Sequence, residues 1–142
     1  MWFLEKKFTL PIGHRLSKHK GLCKNMHGHN FTIIVTFKGS KLDKNDMLMD
    51  FSVCKEFCYN FLLNDFDHCY LCNSKDVKTV DEEMKVISFD SKDPTAEVIA
   101  EFLYKKLETL LKKKMKKNNN KLQVHSVKVF ENENNAIIFT GD

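Results

Sequence analysis

Cys23-Lys24-Asn25-Met26-His27-Gly28-His29-Asn30-Phe31-Thr32-Ile33-Ile34-Val35-Thr36-Phe37 is the stretch on which the fold turns. From Asn30 onward it is β-branched and aromatic and stops at Lys38-Gly39-Ser40, the pattern of a strand. A strand sends residues i and i+2 to one face roughly 7 Å apart, whereas a helix sends them to nearly opposite sides. His27 and His29 can therefore share one metal ion only on an extended segment, and the pair opens the strand. Two histidines do not close a zinc site, because a catalytic zinc takes three protein ligands and leaves the fourth position to water or substrate. The best third candidate is His14, which follows the largely apolar run Phe8-Thr9-Leu10-Pro11-Ile12-Gly13, where an antiparallel neighbour can return to the motif. His19, set among Ser17, Lys18 and Lys20, reads as a solvated loop residue.

Outward from this strand, Trp2 to Ile12 reads as a first strand and Asn30 to Lys38 as a second, joined by a polar loop that carries His14, Arg15 and Cys23. Leu42 to Asp46 is a turn. After the short apolar run Met47 to Phe51, Ser52 can cap a helix bearing Val53, Phe57, Phe61 and Leu62, which stops near Asn64-Asp65. Residues 66 to 93 are irregular, with a short strand possible at Val86-Ile87-Ser88-Phe89. Asp93-Pro94-Thr95 supplies a cap and a first-turn proline for a second helix, whose stripe is Val98, Ile99, Phe102, Leu103, Leu107, Leu110 and Leu111. Leu122 to Phe130 and Ala136 to Thr140 are two further strands around the turn-forming Asn132-Glu133-Asn134-Asn135. Strands, helices, then strands with hairpin connections make an α+β protein: a four-stranded antiparallel sheet with two helices on one face.

A chain of 142 residues with 42% hydrophobic and 30% charged residues reads as one globular domain over 1–142. No segment approaches the roughly 20 apolar residues of a membrane span. Five cysteines, an odd number without a secretory signal, point to free thiols and a cytoplasmic protein. The net charge of +4 comes largely from Lys112-Lys113-Lys114-Met115-Lys116-Lys117-Asn118-Asn119-Asn120-Lys121. This run is most simply a solvated helix end and loop, so nucleic acid is not the expected partner.

Cys23 is a ligand, a nucleophile, an acid/base group or a bystander; Arg15, Lys20, Lys24 and a metal would favour its reactive form. If three histidines hold the metal, Cys23 is free for chemistry. Asp67-His68 lies in a loop, where a carboxylate can orient an adjacent imidazole as a proton carrier, although a surface Asp-His pair needs no such role. Cys69-x-x-Cys72 lacks a second C-x-x-C, and Cys54 and Cys58 lie on one helix face as core filler, so these four read as structural. A zinc deaminase is excluded, because its H-x-E and P-C-x-x-C patterns are missing. Glu131 ends a strand and is either a turn residue or an anchor whose carboxylate accepts two parallel N–H bonds from a 2-amino-4-oxo heterocycle.

With His14-Arg15-Leu16, Cys23 to Phe31, Met49-Asp50-Phe51, Phe66-Asp67-His68 through Leu71, Pro94-Thr95-Ala96-Glu97 and Val129 to Glu131 in this order, the chain resembles the 6-pyruvoyl-tetrahydropterin synthase / 6-carboxy-tetrahydropterin synthase family over nearly its whole length. The resemblance implies a T-fold, in which three subunits join their sheets into a barrel and two trimers stack as a homohexamer with sites at subunit interfaces. By matched position it implies zinc on His14, His27 and His29, Cys23 as general base or acid, and Asp67-His68 as its proton partner across a subunit interface. Glu131 would hold the pterin ring of 7,8-dihydroneopterin triphosphate. Three residues between Cys23 and His27 look like the bacterial queuosine-pathway enzymes, which favours a 6-carboxy-5,6,7,8-tetrahydropterin synthase that releases acetaldehyde and triphosphate. The alternatives are a 6-pyruvoyl-tetrahydropterin synthase and a non-enzymatic zinc or nucleic-acid-binding module with Cys23 as fourth ligand. Pro11-Ile12-Gly13 in place of small residues and Asn132 in place of a threonine depart from the family pattern.

Overall fold

The computed structural model of the protein describes residues 1–79, 81–115 and 122–141. Strands β1 (Trp2–His14) and β2 (His27–Gly39) form an antiparallel pair in unbroken register from Trp2↔Gly39 to His14↔His27. The first strand thus runs two residues past Ile12 and the second starts at the histidine pair itself, so His14 sits on a strand, where a loop was expected. On β2 the residues Phe31, Ile33, Val35 and Phe37 are fully buried, while Gly28 and Asn30 are exposed, the alternation of a sheet covered on one side.

β3 (Tyr70–Asn73), β4 (Val86–Phe89), β5 (Gln123–Phe130) and β6 (Ala136–Thr140) complete one six-stranded sheet in the order β4-β3-β1-β2-β5-β6. Among the described residues the expected four strands are six: the short strand at Val86–Phe89 is present, and β3 is added in a stretch expected to be irregular. The sheet is also mixed, since β3 runs parallel to β1 and to β4 while the other pairs are antiparallel. Every residue of β3 is buried, so the Cys69-x-x-Cys72 stretch belongs to a buried strand and its approach, and all five cysteines are free thiols. Gly13 makes room for this strand: a Cβ there would lie 3.2 Å from the Tyr70 ring.

The first helix begins at Phe51, with Asp50 accepting from the Ser52 backbone N–H at 2.7 Å, so Asp50 and not Ser52 is the cap. It comprises α1 (Phe51–Cys58), a π-helical turn over Tyr59–Leu63 and α2 (Asn64–Phe66), ending one residue beyond the expected stop. α3 (Ala96–Met115) buries Ile99, Leu103, Leu107 and Leu111 of the expected stripe together with Ala100 and Tyr104, while Val98, Phe102 and Leu110 are only partly buried at its edge. Its cap is Thr95, whose hydroxyl accepts from the Val98 N–H at 3.3 Å; the expected cap Asp93 is used elsewhere. Lys112 to Lys114 occupy its last turn, where they suit the negative end of the helix, and the rest of the basic run lies outside the described residues. Asn132 closes the β5–β6 hairpin by accepting from the N–H groups of Asn134 and Asn135 at 2.9 and 3.0 Å.

Candidate metal centre and active site

The strand register decides where the chemistry sits. His14 is paired with His27, so one rung of the ladder carries two imidazoles and the third, His29, follows two residues on. All three project to the helix-covered face, and His14 and His29 stand edge-on to the Phe31 ring at 5.4 and 5.6 Å centroid separation. Their own centroids are 4.6 to 5.3 Å apart. β5 pairs Ile33 with Val129, so Glu131, two residues further, comes up beside this rung on the same face. Glu131 Oε1 is 3.1 Å from Nε2 of both His14 and His29, and one ligand atom from each of the four residues lies within 4.8 Å of all the others.

These atoms fit a metal. The three Nε2 atoms are buried, yet none has a hydrogen-bond partner, an unusual condition that a shared cation relieves. The opposite nitrogens are held as in metal ligands: Nδ1 of His14 donates to the Pro94 carbonyl at 3.0 Å, and Nδ1 of His27 to the Asn25 carbonyl at 2.6 Å, leaving each Nε2 lone pair toward the cluster. Asp93 secures the Pro94 side of this arrangement. Its carboxylate accepts from Ser17 Oγ (2.6 Å), the Lys18 backbone N–H (2.7 Å) and Asn73 Nδ2 (3.1 Å), tying the β1–β2 loop and β3 to the start of α3.

Burial pushes the fully enclosed His14 imidazole below the ordinary 6.5, against the opposing pull of the Pro94 carbonyl and the Glu131 charge. The unfolded chain then takes up a proton that the folded chain refuses, so stability is lost as pH falls below the unfolded value. We expect the Tm of metal-stripped protein to drop between about pH 7 and pH 5, and a His14→Asn variant to show a flatter profile over the same range. Equal slopes in the two proteins would contradict this assignment.

Asp67-His68 forms the expected pair: His68 Nδ1 donates to Asp67 Oδ1 at 2.6 Å. His68 occupies the left-handed region at φ 58°, which is costly for a non-glycine residue and recurs at functional sites. Its side chain is 79% exposed and lines a cavity of about 410 Å³ together with Pro11, Gly13, Gly28, His29 and Asn30. A second cavity, of about 520 Å³, adjoins Glu131 and is lined by Lys7, Thr9, His29, Asn30, Thr32 and Phe130.

Cys23 lies in a short 3-10 turn (Leu22–Lys24), half-buried, outside the four-donor cluster and lining neither cavity. Of the basic neighbours expected around it, Arg15 is engaged by Asp76 at 3.1 Å. The structure thus brings His14, His27, His29 and Glu131 together, leaves Cys23 outside that cluster, and sets His68 on the cavity that His29 also lines. Proximity of Glu131 to the histidines was not foreseen. The signal is its parity with Val127 and Val129, which becomes readable only once the register of β5 is known.

The chain is similar to known proteins over most of its length. A 6-carboxy-5,6,7,8-tetrahydropterin synthase of Synechocystis is 32% identical over 112 residues, covering 76% of each chain. The protein of the same name from Haemophilus influenzae is 26% identical over 140 residues, covering 92% of this chain and 93% of its own. Among solved structures, the 6-pyruvoyl tetrahydropterin synthase of Plasmodium vivax superposes with a TM-score of 0.72 at 16% identity, over 98% of both chains, a likeness of fold. The family model described as 6-pyruvoyl tetrahydropterin synthase matches residues 3–142, and the chain belongs to that family.

Proposed function

We propose that the protein is a zinc-dependent 6-carboxy-5,6,7,8-tetrahydropterin synthase. It takes up water and 7,8-dihydroneopterin triphosphate and releases 6-carboxytetrahydropterin, acetaldehyde and triphosphate, a lyase step that serves 7-deazaguanine and queuosine synthesis. The observation that carries this reading is the set of three buried Nε2 atoms that make no hydrogen bond and converge beside Glu131, in a chain whose relatives bear that name over most of their length. The three-residue gap between Cys23 and His27 supports the carboxy product over the pyruvoyl one.

His14, His27 and His29 would hold the zinc. When bound, the ion supplies Lewis acidity, making side-chain hydroxyl and C–H protons of the substrate removable near neutral pH. Cys23 is the general base or acid that moves those protons at Sγ. Asp67 holds Nδ1–H of His68, leaving Nε2 free to relay protons with Cys23. Glu131 receives the pterin N–H pair; it stands 3.1 Å from two histidines and also lines the 520 Å³ cavity.

Cys23 stands outside the donor cluster and lines neither cavity, and we assign the His68 that meets it to a neighbouring subunit, as in a dimer of trimers. The exposure of the His68 side chain supports this, as does a groove lined by Trp2, Phe3 and Phe51, which are 55, 56 and 70% exposed. Among the described residues no helix is long and apolar enough to cross a membrane, and five free thiols fit a cytoplasmic enzyme. A closed zinc module completed by Cys23 is disfavoured, because the fourth donor at the histidines is Glu131.

The zinc-loaded protein should convert 7,8-dihydroneopterin triphosphate to a product with the mass of 6-carboxytetrahydropterin, together with one acetaldehyde per turnover. A product with the mass of 6-pyruvoyl-tetrahydropterin and no acetaldehyde would assign the other branch.

A further inference from the structure

The orientation of the His68 imidazole depends on very little. Its backbone is held on several sides. The His68 N–H donates to the Pro11 carbonyl at 3.0 Å, the Gly13 N–H to the Cys69 carbonyl at 2.9 Å, and Lys85 Nζ to the carbonyls of Asn64 (2.6 Å) and Asp67 (3.0 Å). The side chain, by contrast, projects into solvent with Asp67 Oδ1 as its recorded partner. A carboxylate held at one oxygen can rotate about its side-chain torsions and release the ring. Here the second oxygen is taken: Tyr59 Oη donates to Asp67 Oδ2 at 2.7 Å.

Tyr59 is well placed to be a fixed point. Its ring stacks on Phe8 of β1, with centroids 6.5 Å apart, and it opens the π-helical turn Tyr59–Leu63. A π turn admits one extra residue and rotates everything after it by about 100° relative to a regular helix, a local cost that recurs where a side chain must be re-aimed. Asp67 follows eight residues after Tyr59, beyond that turn, and its carboxylate meets the phenol. The hydrogen bonds from Tyr59 and then His68 hold the Asp67 carboxyl below the usual carboxylate range, so it remains the acceptor for both.

We propose that Tyr59 is a positioning residue that locks the Asp67 carboxylate and, through it, the Nδ1–H tautomer of His68. The inference rests on Asp67-His68 being the proton partner of the proposed reaction. A neutral imidazole in water prefers its proton on Nε2, which would leave the wrong nitrogen facing the substrate. The Tyr59–Asp67 contact overrides that preference and leaves the Nε2 lone pair available for proton transfer.

The tautomer is readable without turnover, from long-range 15N–1H correlations of His68 in zinc-loaded, 15N-labelled protein held above the imidazole titration. Wild type should show His68 predominantly Nδ1-protonated. Tyr59→Phe, which keeps the ring against Phe8, should move most of the population to Nε2–H, and Asp67→Asn should move it the same way. In the lyase assay Tyr59→Phe should lower kcat roughly 10-fold with KM unchanged. An unchanged His68 tautomer in Tyr59→Phe overturns the proposal, whatever the activity. Full turnover in His68→Ala overturns the proton-partner reading and leaves the tautomer result standing.

Discussion

His14→Ala should lose its metal and its activity together, while His19→Ala keeps both. Three nitrogen donors hold a catalytic zinc, and the loss of one leaves a two-histidine site that competes poorly with water and buffer. Even outer partners of metal ligands are worth 10- to 100-fold in affinity, so removing a ligand should cost at least roughly 100-fold. His14 has the strongest claim of the three, since it is 0% exposed and its Nδ1 is anchored to Pro94 in the closing turn before α3. His19 is exposed, with its Nδ1 accepting from the Gly21 N–H at 2.8 Å, a local loop bond, and it does not belong to the cluster. Metal content after dialysis decides the matter: near one zinc per chain in wild type and His19→Ala, and none in His14→Ala. Stoichiometric zinc retained by a folded His14→Ala would remove His14 from the ligand set.

The part of this site that was legible before the structure is the part that strand periodicity controls. His27 and His29 share a face because alternation is local, and His14 follows because a strand before the motif has only one simple way to return to it. The extent of β1 was not legible, since Pro11-Ile12-Gly13 reads as a strand end; in the sheet Pro11 pairs with Asn30 and the ladder continues to His14. β3 and β4 are four residues each and parallel, and β3 is buried throughout, so it shows no alternation. Their pairing depends on a crossover that no local pattern records. The cap at α1 was misplaced by two residues because Asp50 and Ser52 are both good caps, and the Asp50 carboxylate takes both the N–H and the hydroxyl of Ser52. Asp93 was read as a helix cap for its position before Pro94, but three donors from other segments converge on it. The place of Glu131 beside the histidines and that of Tyr59 beside Asp67 illustrate the same limit: one depends on the register of β5, the other on a π turn.

Cys23→Ala and His68→Ala should each lower kcat by about 10²- to 10⁴-fold, the usual contribution of a positioned acid or base, with zinc content unchanged because neither belongs to the donor cluster. The stronger test is to combine the two inactive proteins. If each active site takes Cys23 from one chain and His68 from its neighbour, a random mixed assembly pairs an intact Cys23 with an intact His68 at about one quarter of its sites, as head-to-tail interfaces require. Dissociating a 1:1 mixture and allowing it to reassemble should therefore recover roughly a quarter of wild-type activity from two dead parents. A tag on one parent, followed by mass analysis of the captured oligomer, confirms that the chains have mixed. Mixed oligomers without activity would place Cys23 and His68 of one chain in the same site. That outcome would leave His68 to serve the cavity it lines with His29 of its own chain and would overturn the shared-site assignment. Recovered activity, by contrast, makes assembly a condition of catalysis, since Cys23 and His68 then meet only between chains.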